Sequence, residues 1–305
     1  MAPAKKTKRI APRLKWLRGL LLSPLLLLTF VGVVATGSVC LIVPSFVQNL
    51  RAEEEYQFNL HNMRVNRPNE WVPGGLVDQV LQKSHQPQHV SLLEPGLSQE
   101  IAAAFAAHPW IESVERVQIT GGRQIIAHLK YREPAAFIQT ADGPVAVDAN
   151  GVVLPLDDFS TSDHSRLPHI EGITSTPPQR AGEKWDDPVL QGSLMLAEAL
   201  TPERDMHQHW QRFNLAAIVA PQVQHPQELL LHRLTYQLRT NGGSHIVWGH
   251  PPGGDDLEPT VEQKIGRLDQ YLQRFGNFEQ PRGPYQIDIR HFDAISLQPM
   301  PRTVR

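Results

Sequence analysis

"SVERVQITGGRQIIAHLKYRE", Ser113 to Glu133, decides the fold of the first half of the chain. On each side of Gly121-Gly122 the large apolar residues recur at every second position, the period of a half-buried strand. Val117 and Ile119 share one face before the glycines; Ile125, Ala127, Leu129 and Tyr131 share one face after them. Two glycines between two such runs signal a hairpin, because a two-residue turn needs positive φ, which glycine adopts without a Cβ clash.

The residues upstream supply what such a hairpin must pack against. In "QEIAAAFAAH", Ile101, Ala104 and Phe105 lie on one helical face, Ser98 is the expected N-cap and Pro109 the stop. In "GGLVDQVLQ", Leu76, Val77, Val80 and Leu81 have helical spacing. Earlier still, "YQFNLHNM" (Tyr56 to Met63) alternates weakly and is the expected first strand. Residues 56–134 therefore read as strand, helix, helix, strand, strand, with Phe105 and Trp110 in the core.

Downstream the chain turns β-rich. "PVAVDANGVVLPL" reads as two short strands around Asn150-Gly151, and residues 157–188, rich in Ser, Thr, Pro and Asp, as surface loop. "PVLQGSLMLAEAL" places Leu190, Leu194, Ala197 and Glu198 at helical spacing. "YQLRTNGGSHIVWG" (Tyr236 to Gly249) is a strand, an Asn241-Gly242-Gly243 turn and a second strand. An amphipathic helix follows, with Ile265, Leu268, Tyr271, Leu272 and Phe275 on one face. The last segment, "QIDIRHFDAISLQP" (Gln286 to Pro299), puts Ile287, Ile289, Ile295 and Leu297 on one parity and Asp288, Arg290, Phe292 and Ser296 on the other. His291 and Asp293 interrupt the apolar parity, which predicts a bulge or bend in a final strand at or near a sheet edge.

Charge and hydropathy bound the ends. The net charge of −2 hides a split: the first 18 residues carry seven bases and no acid, leaving 22 bases against 31 acids. A remainder of that sign has no general attraction to nucleic acid. Cys40 is the only cysteine, so an intrachain disulfide and a thiolate zinc cluster are excluded. Leu20 to Val43 is almost wholly apolar, and its 24 positions exceed the ~20 that a helix needs to cross a bilayer. It is also longer than the 7–15 apolar residues of a cleaved signal. The expectation is a retained transmembrane helix over residues 19–44, contacting the lipid bilayer. The basic tip, 1–18, would be cytoplasmic and residues 45–305 extracytoplasmic, in a single-pass protein of the inner membrane.

Several quoted segments together resemble one family. "HPWIESVERVQITGGRQIIAHLKYREPAAFI", "VDANGVVLP" and "LPHIEG", followed by Gly249, Lys264 and Ile287-Asp288-Ile289-Arg290, are similar to the bacterial cell-division proteins FtsQ/DivIB. The resemblance implies an α+β chain: an N-terminal transmembrane helix, a βααββ POTRA-like domain (56–138) after a linker (45–55), then a β domain (139–299) with an antiparallel sheet and flanking helices, and a short tail (300–305). It also implies a non-catalytic scaffold of the septal cell-wall synthesis complex. Its partners would be small bitopic coiled-coil proteins of the FtsB/FtsL type and other septal membrane proteins, and recognition would proceed by addition of a partner strand to an exposed edge. The expected partner-binding residues are Asp288, Arg290, His291, Phe292, Ser296 and Lys264. Arg290 could equally be engaged by Asp288 or Asp293 within the chain, and Lys264 could be a solvated helix residue. POTRA-like units also occur in envelope-assembly and polypeptide-translocation proteins, which is the alternative reading.

Chemistry is otherwise sparse. His207 and His209 are two apart, so on a helix they point to different faces; His85 and His89 have the i, i+4 spacing, but Pro87 between them argues against the helix that spacing requires. Asp157-Asp158, Asp186-Asp187 and Asp255-Asp256 lie in proline-flanked stretches that read as solvated turns. "GHPPGGDD" lacks the Lys and Ser/Thr of a phosphate loop. No catalytic residue, cofactor, metal or small-molecule substrate is expected; a membrane-anchored enzyme is the weaker alternative.

Overall fold

The computed structural model of this chain describes residues 24–223, 234–253 and 258–301. The basic tip, the first residues of the expected span, Asp255-Asp256 and most of the tail lie outside the described residues. The first helix, α1, runs Pro24–Ala52. Among the described residues no helix is long and apolar enough to cross a membrane, which overturns the expected single-pass span and the inner-membrane topology built on it. The far bound differs as well: α1 passes through Pro44 and takes in the polar Ser45, Gln48, Asn49 and Arg51.

In the first unit, β1 (Gln57–Asn59) pairs with β3 (His89–Ser91), while β2 (Arg64–Val65) lies parallel on β5 (Gln124–Tyr131), itself antiparallel to β4 (Ile111–Thr120). The three-stranded sheet thus takes its first strand from Arg64–Val65 and not from the 56–63 stretch. Helices α2 (Leu76–Ser84) and α3 (Leu97–Ala106) bury Leu76, Val80, Leu97, Ile101 and Phe105 against Trp110, Ile125, Ala127 and Leu129. The N-cap of α3 is Gly96, left-handed at φ 86°, so Ser98 falls inside the first turn. The β4–β5 turn has three residues, and the positive φ falls on Arg123 (56°) and on neither Gly121 nor Gly122. Left-handed geometry at the last position suits a three-residue hairpin loop.

The second unit is a mixed eight-stranded sheet in the order β13-β12-β11-β10-β9-β8-β6-β7. Its members are β6 (Pro134–Thr140), β7 (Gly143–Asp148), β8 (His169–Glu171), β9 (Leu215–Val219), β10 (Tyr236–Thr240), β11 (His245–Gly249), β12 (Tyr285–Asp288) and β13 (Ser296–Pro299). The expected antiparallel sheet is corrected to a mixed one, since β11/β12, β6/β8 and β8/β9 are parallel. Parallel neighbours arise because α5 (Val261–Phe275) crosses between β11 and β12, and a long connection separates β6 from β8. Strand β8 sits inside the stretch read as surface loop; its Ile170 is fully buried.

Strand β6 holds the two units together. Phe137 and Ala146 face the first unit's apolar cluster, whereas Ala136, Ile138 and Val147 face the second, so the period of two along the chain serves two cores. The expected boundary at 138/139 therefore falls inside β6. Two quoted motifs meet at this junction: Arg132 of "REP" donates at 2.8 Å to Asp148 of "DANG", whose other carboxylate oxygen accepts from the backbone N–H of Asn150 and Val152.

Helix α4 (Pro188–Leu200) packs on the sheet at Gly192, where a Cβ would overlap the Tyr236 hydroxyl and lie 2.7 Å from Cζ. Tyr236 is fully buried and donates to Val189 O at 2.9 Å. Alanine in a helix gains about 1 kcal/mol over glycine, but overpacking costs about 1–3 kcal/mol and displacing the buried hydroxyl a similar amount. The substitution Gly192→Ala is expected to destabilise by about 2 kcal/mol. Chemical denaturation will check it, and an unchanged or raised midpoint would show that Tyr236 moves freely.

Candidate partner-binding edge

The segment expected as one bent final strand is a hairpin. β12 pairs in register with β13, Tyr285 opposite Pro299 and Asp288 opposite Ser296, and residues 289–295 leave the sheet between them. The apolar parity weakens along the segment: Ile287 and Ile289 are fully buried and Ile295 packs half-buried against the core, whereas Leu297 is 42 % exposed. All four β13 residues are exposed, and among the described residues no strand pairs with its outer side. Its free N–H and C=O groups form a template for another chain.

Asp288 and Arg290 come together at the end of β12. The guanidinium donates twice to the carboxylate, Nε to Oδ1 at 3.0 Å and Nη2 to Oδ2 at 2.7 Å. Burial works to raise the Asp288 carboxyl, but the hydrogen bonds and charge of Arg290 outweigh it and hold it below the ordinary carboxylate range. The Asp288 carboxylate in turn raises Arg290 further above its already high value. Both residues are only half-buried, so the fork presents its remaining N–H groups at the surface. His291 and Ser296 are exposed, and Phe292 is 56 % exposed beside them. Five of the six expected residues thus converge on one patch at the sheet edge.

Lys264 is buried rather than part of the exposed patch, although its charge interacts with those of Asp288 and Arg290. It is 3 % exposed in α5, its Nζ 2.6 Å from Glu258 Oε2 and 5.2 Å from the centre of the Trp248 ring. Glu258 also accepts from the backbone N–H of His250 at 3.0 Å. Gly249 makes room for this carboxylate: its φ is +94°, and a Cβ there would lie 2.5 Å from Glu258 Cδ. Burial lowers the Lys264 amine below the ordinary lysine value, against the opposing pull of Glu258. Its role in the geometry is to hold Glu258, and through it the backbone of His250, against α5.

Sequence reasoning missed Arg267, one turn along α5 from Lys264. Its guanidinium donates to the backbone carbonyls of Ile289 (3.0 Å), His291 and Phe292, and so fixes the loop that carries the exposed patch. Only its spacing from Lys264 hinted at a shared face.

Two of the carboxylates weighed for chemistry have structural roles. Asp158 accepts from Trp110 Nε1 at 2.7 Å, and Asp187 caps α4 by accepting from Val189 and Leu190 N–H. Among the described residues no group of three or more His, Cys, Asp or Glu could hold a metal ion. The edge offers backbone groups, a cationic fork and one exposed aromatic ring, which suits recognition of an extended peptide. No protein-family model matches this chain, and no curated protein matches it.

Proposed function

We propose that this chain is a non-catalytic scaffold of the FtsQ/DivIB type that serves bacterial septal cell-wall synthesis by capturing a partner strand on β13. The observation that carries the reading is a wholly exposed edge strand beside the half-exposed Asp288–Arg290 pair. Main-chain hydrogen bonds would supply affinity, while Arg290 and Phe292 supply selectivity. The partner class is the small coiled-coil division proteins, FtsB and FtsL, as the sequence resemblance implies.

Co-purification of the full chain with such proteins, and loss of septation on its depletion, are the expected results. The variant Arg290→Glu should weaken partner capture by about tenfold or more, because a carboxylate then stands beside Asp288 where the fork stood. The variant should still unfold in one cooperative transition, its midpoint lowered only by the loss of one half-exposed ion pair. Phe292→Ala should weaken capture without touching the ion pair. Full capture by both variants, or no such partner on the purified chain, would remove the proposal.

A further inference from the structure

The junction between the two units contains a groove unrelated to the β13 edge. An inner pocket of about 160 Å³ opens into a cleft of about 590 Å³, with Pro134, Arg166, Leu167, Glu203, Arg204 and Met206 common to both. Its floor is apolar: Pro134, Leu167, Pro168, Leu194 and Met206 are buried and line the inner pocket. Its outer wall comes from the first unit, at Asn69, Glu70 and Trp71.

Charge decides what fits. The two cavities are lined by five carboxylates (Glu70, Glu133, Glu198, Glu203 and Asp205) against two guanidiniums, Arg166 and Arg204. Both guanidiniums are already engaged. Arg166 pairs with Glu70 and Asp163 and stacks 4.3 Å over the Trp71 ring, and Arg204 pairs with Glu133. Glu198 and Glu203, both exposed at the inner pocket, have no ion-pair partner among the described residues. An anion entering the groove would have to displace an existing pair. A cation with an apolar stem meets an apolar floor and two free carboxylates.

We propose that this groove binds an extended segment of a partner protein that inserts one arginine side chain into the inner pocket. The aliphatic stem lies against Leu167, Leu194 and Met206, and the planar fork pairs with the rim carboxylates. The cleft outside takes the flanking backbone. This site is independent of the strand-capture reading, since no residue of β12 or β13 lines it.

The test uses the full chain and a fluorescein-labelled peptide, acetyl-Ala-Leu-Arg-Leu-Ala, beside the same peptide with norleucine in place of arginine. Saturable binding of the arginine peptide is expected, with the norleucine peptide about tenfold weaker or worse, the factor for loss of one charged contact of about 1.4 kcal/mol. Raising the salt should weaken the arginine peptide alone. The double variant Glu198→Gln/Glu203→Gln, altered only at exposed positions, should erase the preference for arginine. Ala149→Trp, at the exposed mouth of the inner pocket, should block both peptides. Equal binding of the two peptides would reduce the site to an apolar groove and overturn the proposal. So would no saturable binding, or an arginine preference that survives in the double variant.

Discussion

The variant Glu258→Leu is expected to lose about 3–5 kcal/mol of stability at neutral pH, the cost of leaving one partner of a buried ion pair unpaired. Lys264 is 3 % exposed, and without Glu258 its ammonium keeps the face of Trp248 and the more distant charge of Asp288, itself paired with Arg290. Lys264→Met should cost less, because the stranded carboxylate still accepts from His250 N–H and has the His250 ring 3.5 Å away. The double variant Glu258→Leu/Lys264→Met should lie within about 1–2 kcal/mol of the wild type, since two apolar side chains can replace a buried pair at little cost. This strong non-additivity separates the pair from simple loss of packing, which would add. Proton linkage gives a second readout. Burial already lowers the Lys264 amine, and removing Glu258 takes away the strongest of the groups that raise it. Between the lowered folded value and the ordinary value near about 10.4, the unfolded chain binds more protons than the folded one, so stability rises with pH across that window. Glu258→Leu should therefore recover stability as pH rises towards the ordinary lysine value in urea unfolding, and the double variant should not. A Glu258→Leu cost that is independent of pH and additive with Lys264→Met would show that the ion pair contributes nothing.

The latch also marks where sequence reading stops. The hairpins Ile111–Tyr131 and Tyr236–Gly249 were legible because period-two alternation and glycine turns are local signals. The helices Pro188–Leu200 and Val261–Phe275 were legible for the same reason, their apolar faces repeating within a few residues. Strand β8 has three residues and is buried only because β6 and β9 flank it, so nothing in "HIE" itself announces a strand. Lys264 and Glu258 are six residues apart across a helix start, and the fold-back that joins them depends on Gly249. At the final segment the alternation of isoleucines continued past Ile289 in sequence, but the chain reversed direction there. The exposed Leu297 kept the apolar parity without the buried face. The place of the segment at the sheet edge was legible, but its reversal into a hairpin and the Arg267 clamp are products of tertiary assembly, which a single sequence does not encode locally.

Acidification should destabilise the first unit well before its carboxylates titrate, through His108. This residue closes the end of α3 and is 4 % exposed. Its Nδ1 accepts from Trp110 N–H at 3.4 Å, which leaves Nε2–H to donate to Gln79 on α2 at 3.3 Å. That arrangement fits the neutral ring. Burial, then the charge of Lys83, push its pKa down to about 4, against the weaker opposing pull of Asp158. As pH falls from about 6.5, the unfolded chain takes up a proton that the folded chain refuses until about pH 4, so stability drops through that window and no further below it. At ~1.4 kcal/mol per pH unit the loss is on the order of 3 kcal/mol. His209 and His245 are also held below the ordinary value by burial and add to the same slope, so the variant comparison decides. His108→Gln can keep the contact to Gln79 without titrating, and its stability should fall less steeply between about pH 6.5 and pH 4.5 than that of the wild type. The difference between the two profiles is the contribution of His108, whatever the other histidines do. Parallel profiles would mean that the ring takes up its proton inside the fold, with α2 and α3 moving apart to admit water.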